Sequence, residues 1–186
     1  MFAYCENNPI NYEDPVGTYR ILEGYNPTPS NDLPRKIAIL KKELKTLDLS
    51  NTSEELVLNS KYVAGYKGTV VFRTSNSRSF TFFAVFLRND LPTKGSNSIN
   101  ELRHEYGHLY QLAALGSSGY LLFIGIPSIL GGDNPDYYKQ PWEVTADLFG
   151  GVDRMGQHNY SDQQLIEGLR YLRTAYIISR FTGRIW

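Results

Sequence analysis

The chain has 186 residues, of which 41% are apolar, and its 19 basic and 19 acidic side chains give a formal net charge of zero. This length and apolar content predict one globular domain and exclude a disordered chain. The balanced charge argues against a nucleic-acid-binding surface, and the single cysteine, Cys5, excludes an internal disulfide and a cysteine-based zinc cluster.

The first third of the chain contains one clear helix. Residues 1–30 are rich in Asn, Pro, Gly and Tyr, which predicts turns and extended chain. They show no basic stretch followed by an apolar core, so we expect no signal peptide. Leucine and isoleucine recur at helical spacing over residues 32–48, where we predict a helix. Residues 51–67 are ambiguous and suggest a short helical turn and a loop.

A small sheet is predicted next. Residues 69–74 and 80–87 are rich in β-branched and aromatic side chains, and the polar segment 75–79 between them has the length of a hairpin loop. We therefore predict an antiparallel pair of strands here.

A helix that carries a metal-binding motif follows the sheet. Ser98 has the position of a capping-box residue and predicts the start of this helix. Inside it, residues 104–108 read His-Glu-Tyr-Gly-His, so that His104 and His108 lie one turn apart on one face and can bind the same metal ion. Glu105 can then accept a proton from water activated there. Gly107 has no side chain and lets another segment approach the helix closely.

The rest of the chain is predicted to be helical. The motif helix should end near Gly116. Residues 119–130 are strongly apolar but fewer than the roughly 20 that span a bilayer, so we predict a buried core segment without a stable membrane span. A hairpin that touches a membrane is the alternative. Pro141 suits the first turn of a further helix that ends at Gly150-Gly151, and Ser161 begins the last helix.

A zinc hydrolase needs a third protein ligand and an open fourth position. Glu143 is the main candidate, because it lies on a separate predicted helix, 35 residues after His108. Asp147, one turn later on the same face, could accept the other ring N–H of His104 and fix its orientation. Three other side chains could provide the third ligand instead: Asp133, Asp136 and His158.

The motif and the downstream Glu-Val-Thr-Ala-Asp segment together resemble the gluzincin metallopeptidases. The resemblance implies that His104, His108 and Glu143 bind Zn²⁺ and that Glu105 is the general base. It also implies that Asp147 orients the first histidine.

The same resemblance implies an α+β, zincin-like fold over residues 31–186. Such a fold has a small antiparallel sheet, then the active-site helix and a mostly helical C-terminal part. The strand nearest to the helix would hold a peptide or protein substrate in extended form. In gluzincins a histidine or tyrosine stabilises the oxyanion, and four residues are candidates for that role: His158, Tyr137, Tyr138 and Tyr160. The metzincin pattern fits poorly, because Gln111 and Ala114 occupy its glycine and third-histidine positions.

Residues 4–17 resemble a second family. Their Asn-Asn-Pro and Asp-Pro-Val-Gly segments are similar to the end of the RHS-repeat core of bacterial polymorphic toxins, although Glu6 replaces the usual glycine. The resemblance implies that residues 1–30 are an RHS-core-like tail and linker. It further implies that residues 31–186 are a toxin module, secreted or delivered into a target cell and neutralised by an immunity protein.

The two resemblances together predict a zinc-dependent endopeptidase toxin. Two alternatives remain open at this point. The chain could be a catalytically inactive metal-binding domain, or a toxin of non-peptidase chemistry in which the His-Glu-x-x-His pattern is incidental.

Overall fold

The computed structural model describes residues 33–50, 53–132, 134–152 and 160–182, so the predictions on residues 1–30, Asp133 and His158 lie outside the described residues. The described part of the chain is α+β, as predicted. Its elements in chain order are helices α1 (Leu33–Lys45) and α2 (Glu54–Asn59), strands β1 (Val63–Tyr66), β2 (Thr69–Thr74), β3 (Phe80–Thr81) and β4 (Val85–Arg88), helix α3 (Ser96–Tyr120), a π-helical turn (Leu121–Gly125), helix α4 (Ile126–Gly131), a 3-10 turn (Tyr137–Lys139), and helices α5 (Pro141–Gly150) and α6 (Asp162–Thr182).

The chain forms two compact units. The first contains the described residues up to Ser79 together with Phe86–Leu91. The second contains Phe80–Val85 and the described residues from Pro92 onward. The His-Glu-Tyr-Gly-His motif lies in the second unit, and so do all described residues predicted for the site.

Strands β1 and β2 form an antiparallel hairpin in which Val63 pairs with Phe72 and Tyr66 with Thr69. The two turn residues, Lys67 and Gly68, both have positive φ (47° and 84°). A two-residue turn of this kind matches the twist of the strands that it joins. The first strand was missed because lysine is an unusual residue at a turn position with positive φ.

The predicted antiparallel pair of residues 69–74 and 80–87 was wrong. The strand order is β1-β2-β4-β3, and the second segment divides into the two short strands β3 and β4. The amide of Asn89, just after β4, donates to the carbonyl of Thr74 at the end of β2 (2.7 Å), so the sheet is mixed and not purely antiparallel. A local pattern indicates that a segment is a strand, but the partner of that strand depends on contacts distant in sequence.

The first unit is held together by apolar packing and one buried arginine. The rings of Phe72 and Phe86 stack at 5.2 Å between centroids. The guanidinium of Arg73 donates to the carbonyls of Leu58 (2.7 Å) and Arg88 (3.2 Å). These bonds offset the cost of burying its charge.

Helix α3 differs from the prediction at its start. It begins at Ser96, so Ser98 is buried inside the helix and the predicted capping box was wrong. At Gly116 the backbone leaves the helical region (φ 70°, ψ 170°), a conformation that glycine adopts without strain. The helix predicted to end near Gly116 is therefore interrupted there, and a second helical stretch continues to Gly131.

The second helical stretch is less buried than predicted. Tyr120 and Ile124 are buried, but Leu122, Ile129 and Leu130 are exposed, so residues 119–130 are only in part a core segment. By length and composition the helical run Ser96–Gly131 could cross a membrane. This is weak evidence, because a core helix can have the same length and composition.

Helix α5 has the predicted limits, and α6 begins where it was predicted to begin. Pro141 is in the first turn of α5, and Gly151 ends it in the left-handed conformation. The main-chain amide of Ser161 donates to Oε1 of Gln164 (2.9 Å), and the main-chain amide of Gln164 donates to the hydroxyl of Ser161 (3.3 Å), so the predicted capping box at α6 is confirmed. One cluster of buried side chains in the second unit consists of Leu115, Tyr120, Ile124, Leu172 and Ala175.

Candidate metal centre

Three predicted ligands converge in the second unit. His104 and His108, on one face of α3, are buried, and their ring centroids are 4.8 Å apart. Glu143, in the first turn of α5, is fully buried. The ligand atoms of these three residues lie within 4.8 Å of one another. The structure therefore brings together two imidazoles and the distant carboxylate that the sequence singled out.

Helix α5 reaches the histidines because two glycines allow backbone contact between α3 and α5. A Cβ atom on Gly107 would lie 1.9 Å from the carbonyl oxygen of Ala146. A Cβ atom on Gly150 would lie 1.9 Å from the carbonyl oxygen of Arg103. The predicted close approach at Gly107 is therefore confirmed, and its partner is the helix that carries Glu143.

Asp147 determines which nitrogen of His104 carries the proton. The Nδ1 atom of His104 lies 2.6 Å from Oδ1 of Asp147. Because an ionised carboxylate only accepts, Nδ1 donates and the lone pair of Nε2 is left for a metal. The other oxygen of Asp147 accepts a hydrogen bond from the hydroxyl of Tyr160. Asp147 thus has the orienting position that was predicted for it.

Gln111 has the same role beside His108. Its amide nitrogen donates to the carbonyl of Trp142 and to the hydroxyl oxygen of Thr145, both at 2.7 Å. Since a carbonyl only accepts, the amide oxygen must face the other way, where it lies 2.7 Å from Nδ1 of His108. His108 therefore donates through Nδ1, and its Nε2 lone pair is directed toward Glu143, at 3.7 Å.

The arrangement at Glu143 fits a cation. Its Oε1 accepts a hydrogen bond from the hydroxyl of Ser128 (2.8 Å). Its Oε2 is buried, has no hydrogen-bond partner among the described residues, and lies 2.9 Å from Nε2 of His104. Lone pairs of oxygen and nitrogen thus face one another, which requires a proton or a metal ion between them. Two neutral imidazoles and a carboxylate are a donor set typical of zinc.

The electrostatics of the cluster also favour a positive charge between these side chains. Burial alone would lower the pKa of His104, but Asp147 and Glu143 outweigh it and raise that pKa well above its usual value. Burial would raise the pKa of Glu143, but the two imidazoles hold it well below its usual value. A metal ion can replace the shared proton at this position.

Glu105, the predicted general base, is positioned by a residue of the edge strand. The hydroxyl of Thr81 lies 2.8 Å from Oε2 of Glu105 and 2.8 Å from its main-chain oxygen. The hydroxyl of Tyr120 donates to the carbonyl of Thr81 (2.9 Å) and holds the strand in place. Burial raises the pKa of Glu105, and the neighbouring histidines and Thr81 oppose this only in part. A raised pKa suits a carboxylate that must accept and release a proton.

The three oxyanion candidates among the described residues, Tyr137, Tyr138 and Tyr160, have different contacts near the site. Tyr137 is half-buried, and its pKa is raised by burial and by the nearby Glu143 carboxylate. The ring of Tyr138 lies 6.2 Å from that of His104. The hydroxyl of Tyr160 contacts Asp147 and the carbonyl of Tyr138, at 3.0 Å from the latter. Of the alternative ligands, Asp136 is exposed and pairs with Lys139 (2.7 Å).

Sequence reasoning missed three residues of the site: Gln111, Thr81 and Ser128. Gln111 had a detectable signal, because it lies three residues after His108 on the same helix face. Thr81 and Ser128 had none, since they reach the site from other elements through tertiary packing.

The chain matches no protein-family model, and no curated protein or solved structure matches it either.

Proposed function

We propose that this chain is a zinc-dependent endopeptidase. The observation that carries the proposal is the buried Oε2 atom of Glu143, which faces the Nε2 atom of His104 at 2.9 Å without a hydrogen-bond partner among the described residues. With the buried carboxylate of Glu105 beside this cluster, the site has ligands for a metal and a base for water, which is the minimum for metal-assisted hydrolysis.

A zinc ion bound by His104, His108 and Glu143 would polarise the scissile carbonyl and lower the pKa of water to about 7. Glu105 accepts the proton as the water oxygen bonds to the carbonyl carbon. It then passes that proton to the nitrogen as the C–N bond breaks. Thr81 aims the Glu105 carboxylate during both transfers, because its hydroxyl lies 2.8 Å from Oε2.

The biological setting of the proposal rests on residues 4–17, whose RHS-like signature precedes toxin modules. We infer that the peptidase is a secreted or delivered bacterial toxin and that its substrate is a protein of the target cell. A cognate immunity protein would neutralise it. Expression of the chain with and without a cleavable secretion signal, scored by growth of the producing cells, tests this setting separately from the chemistry.

Metal analysis and one substitution test the chemistry. We expect about one zinc per chain in the wild type and none in His108→Ala, measured by mass spectrometry of the purified protein. Glu105→Gln should keep the zinc, because it removes no ligand, and should lose cleavage of a casein or proteome substrate. Glu167→Gln, an exposed position on α6, is the matched control and should keep both.

The outcomes separate the alternatives. A wild-type protein without stoichiometric metal would end the peptidase proposal in favour of another chemistry. A zinc-loaded wild type that hydrolyses no protein or peptide would leave a metal-binding domain without peptidase activity. A Glu105→Gln variant with full activity would remove Glu105 from its assigned role.

A further inference from the structure

A row of three aromatic rings runs from the surface to the metal centre. The rings of Phe83 and Phe82 are 5.6 Å apart, those of Phe82 and Tyr120 are 6.5 Å apart, and those of Tyr120 and His108 are 6.3 Å apart. Each distance lies in the range of interacting aromatic pairs. Phe83, Phe82 and Tyr120 form this aromatic row.

The outer end of the row is open to solvent. The side chains of Phe82 and Phe83 are 38% and 47% exposed, whereas Tyr120 is buried. Phe82 directly follows Thr81, whose hydroxyl contacts the Glu105 carboxylate. The exposed rings therefore begin one residue away from the group that positions the general base.

The two sequence segments that carry the row contain no charged side chain. Residues 79–87 and 106–132 include no Asp, Glu, Lys or Arg. A charged side chain placed against this surface would lose hydration without gaining a partner from these segments, which is unfavourable. A large apolar side chain would instead bury its own surface and that of the phenylalanines.

We propose that the aromatic row is a subsite for a large apolar side chain, aromatic or aliphatic, that lies next to the scissile bond of the peptide substrate. The proposal rests on the proposed peptidase function and specifies its substrate class. The occupant is a substrate side chain because the row is continuous with the metal centre and because Phe82 neighbours the strand residue that holds the base.

Cleavage of a proteome-derived peptide mixture by the zinc-loaded protein tests the preference, with cleavage sites read by mass spectrometry. We expect Phe, Tyr, Leu, Ile and Met to exceed Asp, Glu, Lys and Arg by about tenfold or more at one position beside the cleaved bond, as expected for burial of one large apolar side chain. Cleavage without this preference would overturn the subsite and leave the peptidase intact.

Three variants test whether the preference for apolar side chains depends on the aromatic row. Phe82→Ser should reduce the apolar preference by about tenfold, and Phe82→Leu should restore most of it, because the surface stays apolar. Phe181→Ser replaces a phenylalanine on α6 that is also exposed and lies outside the row, so it should change nothing. Equal preference in all four proteins would overturn the assignment. Zinc content and thermal unfolding, measured in each, confirm that the variants are folded.

A binding measurement separates this inference from the peptidase proposal. We expect Glu105→Gln to bind a blocked hexapeptide with a central Phe about tenfold more tightly than the same peptide with a central Asp, by calorimetry. Phe82→Ser in that background should abolish the difference. If the difference is present but the wild type cleaves nothing, the aromatic row still binds a large apolar side chain, but the peptidase proposal fails. If both peptides bind equally, the subsite is wrong.

Discussion

The two histidines of the candidate metal centre are held in place by chemically different neighbours. His104 donates to the carboxylate of Asp147, which also accepts from Tyr160, whereas His108 donates to the amide of Gln111. Both partners select the same tautomer and leave Nε2 for a metal. Only Asp147 adds negative charge, which strengthens the imidazole as a donor. The carboxylate of Asp147 thus both orients its histidine and adds charge, whereas the amide of Gln111 only orients.

The amide also ties two helices together. Gln111 on α3 donates to two acceptors near the start of α5, so it links the histidine to the helix that carries Glu143. Asp147 lies on α5 itself and makes the corresponding link in the opposite direction, to His104 on α3. Each histidine is thus connected to α5 by one buried hydrogen-bonded side chain.

The largest effect is expected from a change that moves α3, which carries both histidines, away from α5, which carries Glu143. Gly107→Ala would place a methyl group 1.9 Å from the carbonyl oxygen of Ala146 and force α3 and α5 apart. We expect loss of stoichiometric zinc and destabilisation by at least about 3 kcal/mol, measured by metal analysis and denaturant unfolding. Ala114→Gly, an exposed position on α3, should cost only about 1 kcal/mol and keep the metal. A Gly107→Ala variant with wild-type zinc affinity would show that the close approach is not required.

The next largest effect is expected from loss of Asp147, the charged partner of His104. Asp147→Ala leaves the Nδ1–H of His104 buried without its acceptor, and we expect a zinc affinity about 100-fold weaker, measured by competition with a chelator. Asp147→Asn keeps an oxygen acceptor and gives His104 a neutral amide partner, like the one that His108 has in Gln111. The loss of zinc affinity should therefore be only about tenfold. Equal losses in the two variants would mean that the charge of Asp147 accounts for its whole effect and that its acceptor oxygen adds nothing.

A smaller effect is expected from loss of Gln111, the neutral partner of His108. Gln111→Leu removes the acceptor of the His108 N–H, and we expect about a tenfold loss of zinc affinity. Imidazole ¹⁵N chemical shifts of the zinc-free protein should show His108 lose its single tautomer, while the shifts of His104 stay as in the wild type. Unchanged shifts would show that Gln111 only fills space.

The smallest effect on the metal is expected at the base. Thr81→Val preserves the shape of the side chain but removes the hydroxyl that contacts Glu105. Zinc affinity should stay within about twofold of the wild type, while the turnover number falls about tenfold, as for a misdirected general base. Steady-state kinetics on one peptide, with metal content measured in parallel, checks both. Loss of zinc in Thr81→Val would assign the threonine to the metal centre and not to the base.

Features encoded within one turn of helix were predictable from the sequence. The four-residue spacing of His104 and His108 places them on one face of any helix, and Pro141 and Gly151 limit α5 by their backbone preferences alone. Ser98 shows the limit of such signals, because the capping-box pattern is present but the helix begins two residues earlier, at Ser96. Ser98 is buried inside the helix, so the local capping preference, worth about 1 kcal/mol, did not set where the helix begins.

Contacts between distant segments were predictable only where residue type narrowed the choice. Glu143 could be proposed because zinc accepts few side chains as ligands. Thr81 and Ser128 could not be proposed, since threonine and serine are common and carry no mark of the partner that they will meet. The exposure of Ile129 and Leu130 was missed for a related reason, because apolar composition does not say which face of a helix finds a neighbour.

The sequence by itself determined which residue types make up the candidate site, because spacing on a helix and the ligand preferences of metal ions are local properties. The tertiary structure decided the strand order, the position of Glu143 next to the two imidazoles, and the acceptor to which each histidine donates. Those features depend on how closely α3 and α5 approach, and that approach is set by backbone contact at Gly107 and Gly150.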